Sequence, residues 1–373
     1  MTEPIRILHV LGNTNLGGAE SRIMDLYRHI DRERVQFDFL VHTDKESYFD
    51  KEIEALGGHI YRVPRFRMYN YFAYRRAVKK FFLGCHDFKV VQGHMTSTAA
   101  IYLPIAKKAG VPVTVAHARS AGVDKGIKGV LTRLLRRNLP KKADYLFTCS
   151  ELAGISVFGE KAVREKKTVF IPNAVDLSAF ACDKGVRDRI RKELGVENSY
   201  VIGHVGRFHY AKNHEYLLSV FAALCKKDAS ADYRLLLLGE GENMENMRRL
   251  ARELAIADKV IFAGNKAKVY EYYQAMDYFV YPSRYEGLPG TMVEAQASGL
   301  RCLMSDSICD EVVVTKLVKT MSIEEMPEAW ADIILQTKDY ERFSRVEAMQ
   351  KAGFDVRTQA EAMMKFYETG IWK

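Results

Sequence analysis

Short apolar runs rich in β-branched residues alternate with amphipathic stretches of helical length along nearly the whole chain. Residues 5–11 (IRILHVL), 35–42 (VQFDFLVH), 59–64 (HIYRVP), 89–95 (KVVQGHM), 111–118 (VPVTVAHA) and 143–150 (ADYLFTCS) each predict a strand, and 167–176 (KTVFIPNAVD) closes the series. Between most of them lie segments of helical length; in residues 18–30, Ile23, Leu26, Tyr27 and Ile30 recur at helical spacing. The pattern then restarts. Residues 200–207 (YVIGHVGR), 233–241 (YRLLLLGEG), 259–265 (KVIFAGN), 277–283 (DYFVYPS) and 300–306 (LRCLMSD) predict strands, with helices over 213–227 and 243–255. Strands set apart by helices imply a parallel sheet covered on both faces. The expected class is α/β, with two Rossmann-like domains in tandem.

The boundary is expected within 176–198, where β character is lacking, giving domains 1–178 and 179–354. Residues 355–373 read as a helix that packs back on the first domain. A ligand of two such domains is expected between them, at the carboxyl ends of the strands.

Composition narrows the class. A chain of 373 residues suits two cores, and no apolar run reaches the roughly 18–20 residues of a membrane span. The start, MTEPIRILHV, reads as a strand rather than a signal peptide, and the six cysteines form no CxxC pair. A reducing, cytoplasmic location and no metal site are therefore expected. The net charge of +9 is uneven: residues 1–175 hold 29 Lys and Arg against 17 Asp and Glu, the remainder 27 against 30. Such a basic half suits an anionic partner, whether membrane surface, phosphate or nucleic acid, or is a solvated surface. Two stretches concentrate it: 69–83, with Arg75, Arg76, Lys79 and Lys80 among aromatics, and 122–142, with Lys125, Lys128, Arg133, Arg136, Arg137, Lys141 and Lys142. Basic helices with apolar companions can lie on anionic lipid.

The strand-end loops carry the candidate chemistry. In GNTNLGGAES (12–21), Gly17 and Gly18 precede a helix, so backbone N–H groups could face an anion, unless this is a plain turn. In VGRFHYAKNHE (205–215), Gly206 allows a turn, and Arg207 and Lys212 flank a helix start with Asn213 as its expected cap. The two cations could grip a diphosphate or be solvated. In YEGLPGTMVEA (285–295), Glu286 lies before a helix and Glu294 about one turn inside it, with Gly287, Pro289 and Gly290 between. These carboxylates could accept from sugar hydroxyls, act as an acid/base pair, or be surface acids. His117 ends a strand and could orient a reacting group or be structural; His94 is a second such residue. HExxH, GxSxG and P-loop motifs are missing from the sequence.

Together these loops resemble the retaining GT-B glycosyltransferases of glycosyltransferase family 4, the glycosyl transferases group 1. The resemblance runs nearly end to end, through GGAE (17–20), ADYLFTCSE (143–151), VFIPNAVDLSAF (169–180), VGRFHYAKN (205–213), LLGEG (237–241), VIFAG (260–264) and YPSRYEGLPGTMVEAQASG (281–299), the last being the E-x7-E element. It implies a GT-B fold of two Rossmann-like domains facing across a cleft. It also implies sugar transfer from a nucleotide-sugar donor, UDP-linked by expectation, to a lipid-linked or polysaccharide acceptor, with retention and without a metal or other cofactor. The setting would be capsule, exopolysaccharide or lipopolysaccharide synthesis at the inner membrane face.

By the same resemblance, Glu286 would bind donor-sugar hydroxyls and Glu294 the ribose. Arg207 and Lys212 would neutralise the leaving diphosphate, and His117 would lie near the anomeric region. Backbone N–H groups at Gly17, Gly18 and around Gly290 and Thr291 would complete the phosphate cradle, and Gly206 would also belong to the donor-binding residues. Departures from the family pattern are Ala174 in place of a glycine and GLRCLMSDSICDE (299–311), where Glu311 stands near an expected glutamate but the glycines are gone. Alternatives are a GT-B sugar-nucleotide epimerase or phosphorylase and, ranked below, a non-catalytic nucleotide-sugar or RNA-binding protein. Nucleic acid is not an expected partner, since no RNA-binding motif is present.

Overall fold

Seven strands make the first sheet: β1 (Ile5–Leu11), β2 (Val35–Val41), β3 (Ile60–Arg62), β4 (Phe88–Gly93), β5 (Val113–Ala118), β6 (Tyr145–Thr148) and β7 (Thr168–Phe170). Their order is β3-β2-β1-β4-β5-β6-β7, parallel throughout. Six make the second: β8 (Tyr200–Val205), β9 (Tyr233–Leu238), β10 (Val260–Gly264), β11 (Tyr278–Tyr281), β12 (Arg301–Ser305) and β13 (Val318–Met321). Their order is β10-β9-β8-β11-β12-β13, again parallel. The computed structural model describes residues 3–84, 87–119 and 127–372. Of the residues singled out above, Cys85 and Lys125 lie outside these, as does the side chain of Lys128.

The chain divides into two units, one holding residues up to Ala174 together with Val356 onward, the other Val175–Asp355. In the first unit, the Gly18–His29 helix and the carboxyl-terminal Val356–Thr369 helix cover one sheet face. Ile23, Tyr27, Met363, Phe366 and Tyr367 pack there on Ile7, Phe37, Phe39, Val90 and Val115. The Tyr71–Gly84, Thr96–Lys108 and Ile127–Arg137 helices form a second group, the middle one packing on both others. In the second unit, the His214–Lys227 helix packs on β8 and β9 through Leu217, Leu218, Phe221 and Leu224. Each apolar helical stripe faces its sheet at the spacing read from the sequence.

Two details differ from expectation. β13 is an extra edge strand of four residues whose side chains are half-buried or exposed, so it lacks an apolar signature. Asn213 stands at the helix N-cap position but is left-handed, φ 56° and ψ 44°, with no side-chain cap bond. Its Oδ1 instead accepts from Arg284 Nη2 at 2.7 Å.

Glycine has a definite task at Gly239, where φ is +132° and a Cβ would run into the carbonyl oxygen of Gly206. The loops after β8 and β9 therefore meet backbone to backbone at this point. Gly239→Ala is expected to destabilise the protein by about 2–4 kcal/mol, combining left-handed strain with a backbone clash. Urea unfolding checks this; an unchanged midpoint would show that the loops part freely.

Candidate active site

In the second sheet the strand order reverses between β8 and β11, and a crevice at that switch point is where open α/β sheets take ligands. The loops after these two strands carry Gly206, Arg207, Lys212 and Glu286, and they are stitched together. Arg284 donates its backbone N–H to Ala211 O at 2.8 Å and its guanidinium to Asn213, and lies over the Tyr210 ring at 4.5 Å.

Inside this stitching, Lys212 Nζ meets Glu286 Oε1 at 2.5 Å, both side chains being about four-fifths shielded from solvent. Lys212 Nζ also bonds the Tyr281 hydroxyl, which in turn donates to Glu286 Oε1 at 3.2 Å. Burial works against the lysine's charge, but Tyr281 and Glu286 outweigh it and raise its pKa above the ordinary value. The ammonium is thus held charged in a shielded place. Gly206 makes room for this, because a Cβ there would sit 3.2 Å from Lys212 Cδ and 2.9 Å from His204 Nε2.

Below the lysine lie two neutral imidazoles. His204 Nδ1 bonds Val280 O at 2.9 Å, and burial lowers its pKa to about 3, with Lys212 adding to the effect. Burial likewise lowers His214 to about 2. Arg207, in contrast, is exposed and has no partner among the described residues, so its charge is available to a ligand.

The Gly290–Ala297 helix begins after Pro289 in the N-cap position and buries Glu294, which is 3% exposed. Glu294 Oε2 accepts from the Tyr273 hydroxyl at 2.8 Å, and the same hydroxyl lies 3.2 Å from Thr291 O. Tyr273 comes from the Val269–Ala275 helix. The second unit thus brings Gly206, Lys212 and Glu286 into one cluster, and joins Thr291 and Glu294 through Tyr273 in the helix that Gly290 opens. Glu311 is exposed, in a turn beside β12.

Gly17, Gly18 and His117 belong to the first unit. Gly17 is extended, φ −144°, so its lack of a side chain serves space rather than conformation: a Cβ would collide with the Glu20 carboxylate. A Cβ on Gly18 would meet nothing within 4 Å. His117 is fully buried at the end of β5. Its Nδ1 lies 2.8 Å from Gln92 Nε2, and the Tyr367 hydroxyl donates to Gln92 Oε1 at 2.7 Å. With the amide so oriented, His117 carries its proton on Nε2, which has no partner among the described residues. Burial holds its pKa well below the ordinary value.

Sequence reasoning missed Tyr281, Tyr273 and Arg284. Tyr281 was legible only as one more apolar residue at the end of a strand, and Tyr273 lies 21 positions from its carboxylate.

Two parallel α/β units, with charged and hydroxyl-bearing side chains gathered at a strand switch point, define the GT-B class of glycosyltransferases. The chain belongs to the glycosyltransferases of family 4, group 1. The "Glycosyltransferase Family 4" profile matches residues 16–179, and "Glycosyl transferases group 1" matches residues 186–353. EpsF of Bacillus subtilis, named as a glycosyltransferase, is 35% identical over 99% of this chain and 97% of its own. The capsular polysaccharide biosynthesis glycosyltransferase CapH of Staphylococcus aureus is 24% identical over 97% of this chain and 98% of its own. Among solved structures, HepE of Anabaena in complex with UDP-glucose shares the fold at a TM-score of 0.78 and 18% identity, covering 98% of this chain and 100% of that one.

The neutral histidines make stability depend on pH. Unfolded, an imidazole titrates near about 6.5. Folded, His204 and His214 titrate near 3 and 2. The unfolded chain therefore takes up protons first on acidification. The stabilisation is complete above about pH 6.5 and is lost as pH falls toward 3, at about 1.4 kcal/mol per histidine per pH unit. Urea midpoints at about pH 7.5 and about pH 5 should differ accordingly; equal midpoints would contradict buried neutral imidazoles.

Proposed function

We propose that this glycosyltransferase moves a hexosyl group from a UDP-sugar to a lipid-linked or growing polysaccharide acceptor, retaining the anomeric configuration. Its setting is capsule, exopolysaccharide or lipopolysaccharide synthesis. The observation that carries the reading is the Lys212–Glu286–Tyr281 cluster at the β8/β11 switch point, with the Gly290–Ala297 helix holding Glu294 against Tyr273 in the same unit. The names of the capsular relative and of the UDP-glucose complex agree with it.

In this reading Glu294 accepts from ribose hydroxyls and Glu286 from donor-sugar hydroxyls. The helix start at Gly290 and Thr291 offers N–H groups to phosphate. Lys212 and Arg207 stabilise the charge growing on the leaving diphosphate as the sugar becomes oxocarbenium-like, so neither a metal nor another cofactor is needed. The acceptor oxygen bonds to the anomeric carbon on the face from which phosphate departs. The anomeric C–O bond breaks, and the acceptor proton passes to the departing phosphate oxygen.

Thermal shift across UDP-, GDP-, ADP- and dTDP-sugars tests the donor, since stabilisation follows occupancy. The UDP-sugars should raise the melting temperature most. Glu294→Ala should weaken UDP binding by on the order of tenfold or more. Glu286→Gln, which keeps a partner for Lys212, should cut turnover by on the order of 100-fold with a milder loss of UDP affinity. Full turnover in both variants would remove these roles.

The acceptor reading includes peripheral contact with anionic lipid through the first unit. No helix among the described residues is long and apolar enough to cross a membrane. Residues 55–84 contain seven Lys and Arg and no Asp or Glu. The Tyr71–Gly84 helix buries Tyr74, Val78 and Phe82 and turns out Phe72, 82% exposed, beside Tyr69, 81% exposed. Aromatic rings among lysines and arginines suit a lipid interface. Phosphatidylglycerol vesicles should sediment the protein and phosphatidylcholine vesicles should not, and Phe72→Ser should weaken the binding. Equal behaviour on both lipids would exclude this docking.

A further inference from the structure

The first sheet reverses strand order between β1 and β4, and a second group of polar side chains gathers at that end. Arg119 follows β5 directly and is half-buried. Its Nε reaches His94 Nδ1 at 3.4 Å, and its Nη1 reaches Asn173 Oδ1 at 3.1 Å. Among the described residues Nη2 has no hydrogen-bond partner, and no carboxylate lies within 4 Å of the guanidinium. His94 Nε2 in turn lies 3.0 Å from His9 Nδ1, and the His94 and His117 rings stand 5.3 Å apart.

These neighbours bring no negative charge. Burial lowers His9 to about 3 and holds His94 and His117 well below the ordinary imidazole value, so all three are neutral. The acid that feels Arg119 is Glu20, in the first turn of the Gly18–His29 helix. Burial raises its pKa, and its carboxylate lies against Gly17 rather than against the arginine.

A shielded cation with no carboxylate partner among the described residues costs stability. Retaining one at a strand-end switch point is what a site for an anionic ligand requires. A guanidinium fork matches phosphate oxygens.

We propose that Arg119, with the His94 and Asn173 side chains that orient it, forms a phosphate-binding site in the first unit. This rests on the glycosyltransferase reading above and extends it. The phosphate ester has two sources in the reaction, the donor's diphosphate and the diphosphate of a lipid-linked acceptor. Arg119 touches the ligand, while His94 and Asn173 are positioning residues.

The test is calorimetric titration of the full chain with two probes, UDP and farnesyl diphosphate. It compares wild type, Arg119→Gln, Arg119→Lys and Glu294→Ala. Arg119→Gln should weaken one probe by about tenfold or more, and Arg119→Lys, which keeps the charge, should restore part of that loss. Loss of UDP affinity assigns the site to the donor; loss of farnesyl diphosphate affinity assigns it to the acceptor. The ligand-free melting temperature of Arg119→Gln should be equal to or above that of wild type, because no ion pair among the described residues is broken. If Arg119→Gln binds both probes like wild type, or only melts earlier, Arg119 is structural and the proposal falls. If UDP still binds wild type and is weakened by Glu294→Ala, that failure leaves the donor reading standing. If wild type binds neither probe, both readings fall.

Discussion

The buried pair between Lys212 and Glu286 is the constraint around which the second unit is arranged. An ammonium withdrawn from water costs several kcal/mol unless a close opposite charge and further hydrogen bonds compensate. Glu286 supplies the charge at 2.5 Å and Tyr281 supplies the hydroxyl. Everything nearby serves that geometry. Gly206 clears the path of the lysine stem, and Gly239 lets the neighbouring loop approach to backbone contact. Arg284 ties the two loops, so that residues more than 70 positions apart share one place. His204 and His214 stay neutral beneath, adding no repulsion. In the proposed function, a sugar hydroxyl takes a place on Glu286 and a phosphate oxygen takes one on Lys212, each replacing part of what the partner provides.

The first unit shows the opposite electrostatic choice. Asp38 is fully buried and answered by Arg6 at 2.5 Å, as structural charges usually are. Among the described residues, Arg119 bonds only to neutral groups. The contrast within one sheet separates a charge held for stability from one held open for a ligand, at the end of the sheet where ligands of this architecture bind.

Most of the fold was legible because buried parallel strands and amphipathic helices leave different periodicities. β13 was not, since a four-residue edge strand with half-exposed side chains has no such pattern. Asn213 looked like a cap from its local position, but Arg284 competes for its side chain, and that competitor is distant in sequence. Glu286 and Glu294 were readable from their spacing around Gly287, Pro289 and Gly290. What holds them was not: Tyr281 and Tyr273 read as core residues until the fold aims their hydroxyls at the carboxylates. Arg119 was overlooked for a related reason. A lone strand-end arginine looks solvated until histidines from β1, from β5 and just beyond β4 are seen around it.

The central claim is that the loops after β8 and β11, with the Gly290–Ala297 helix, form the donor site. Hydrogen exchange of the full chain with and without saturating UDP tests it most directly, because it reports ligand contact at backbone amides. The account predicts slowed exchange at residues 206–212 and 290–294. Unchanged exchange in both segments at full occupancy would contradict it.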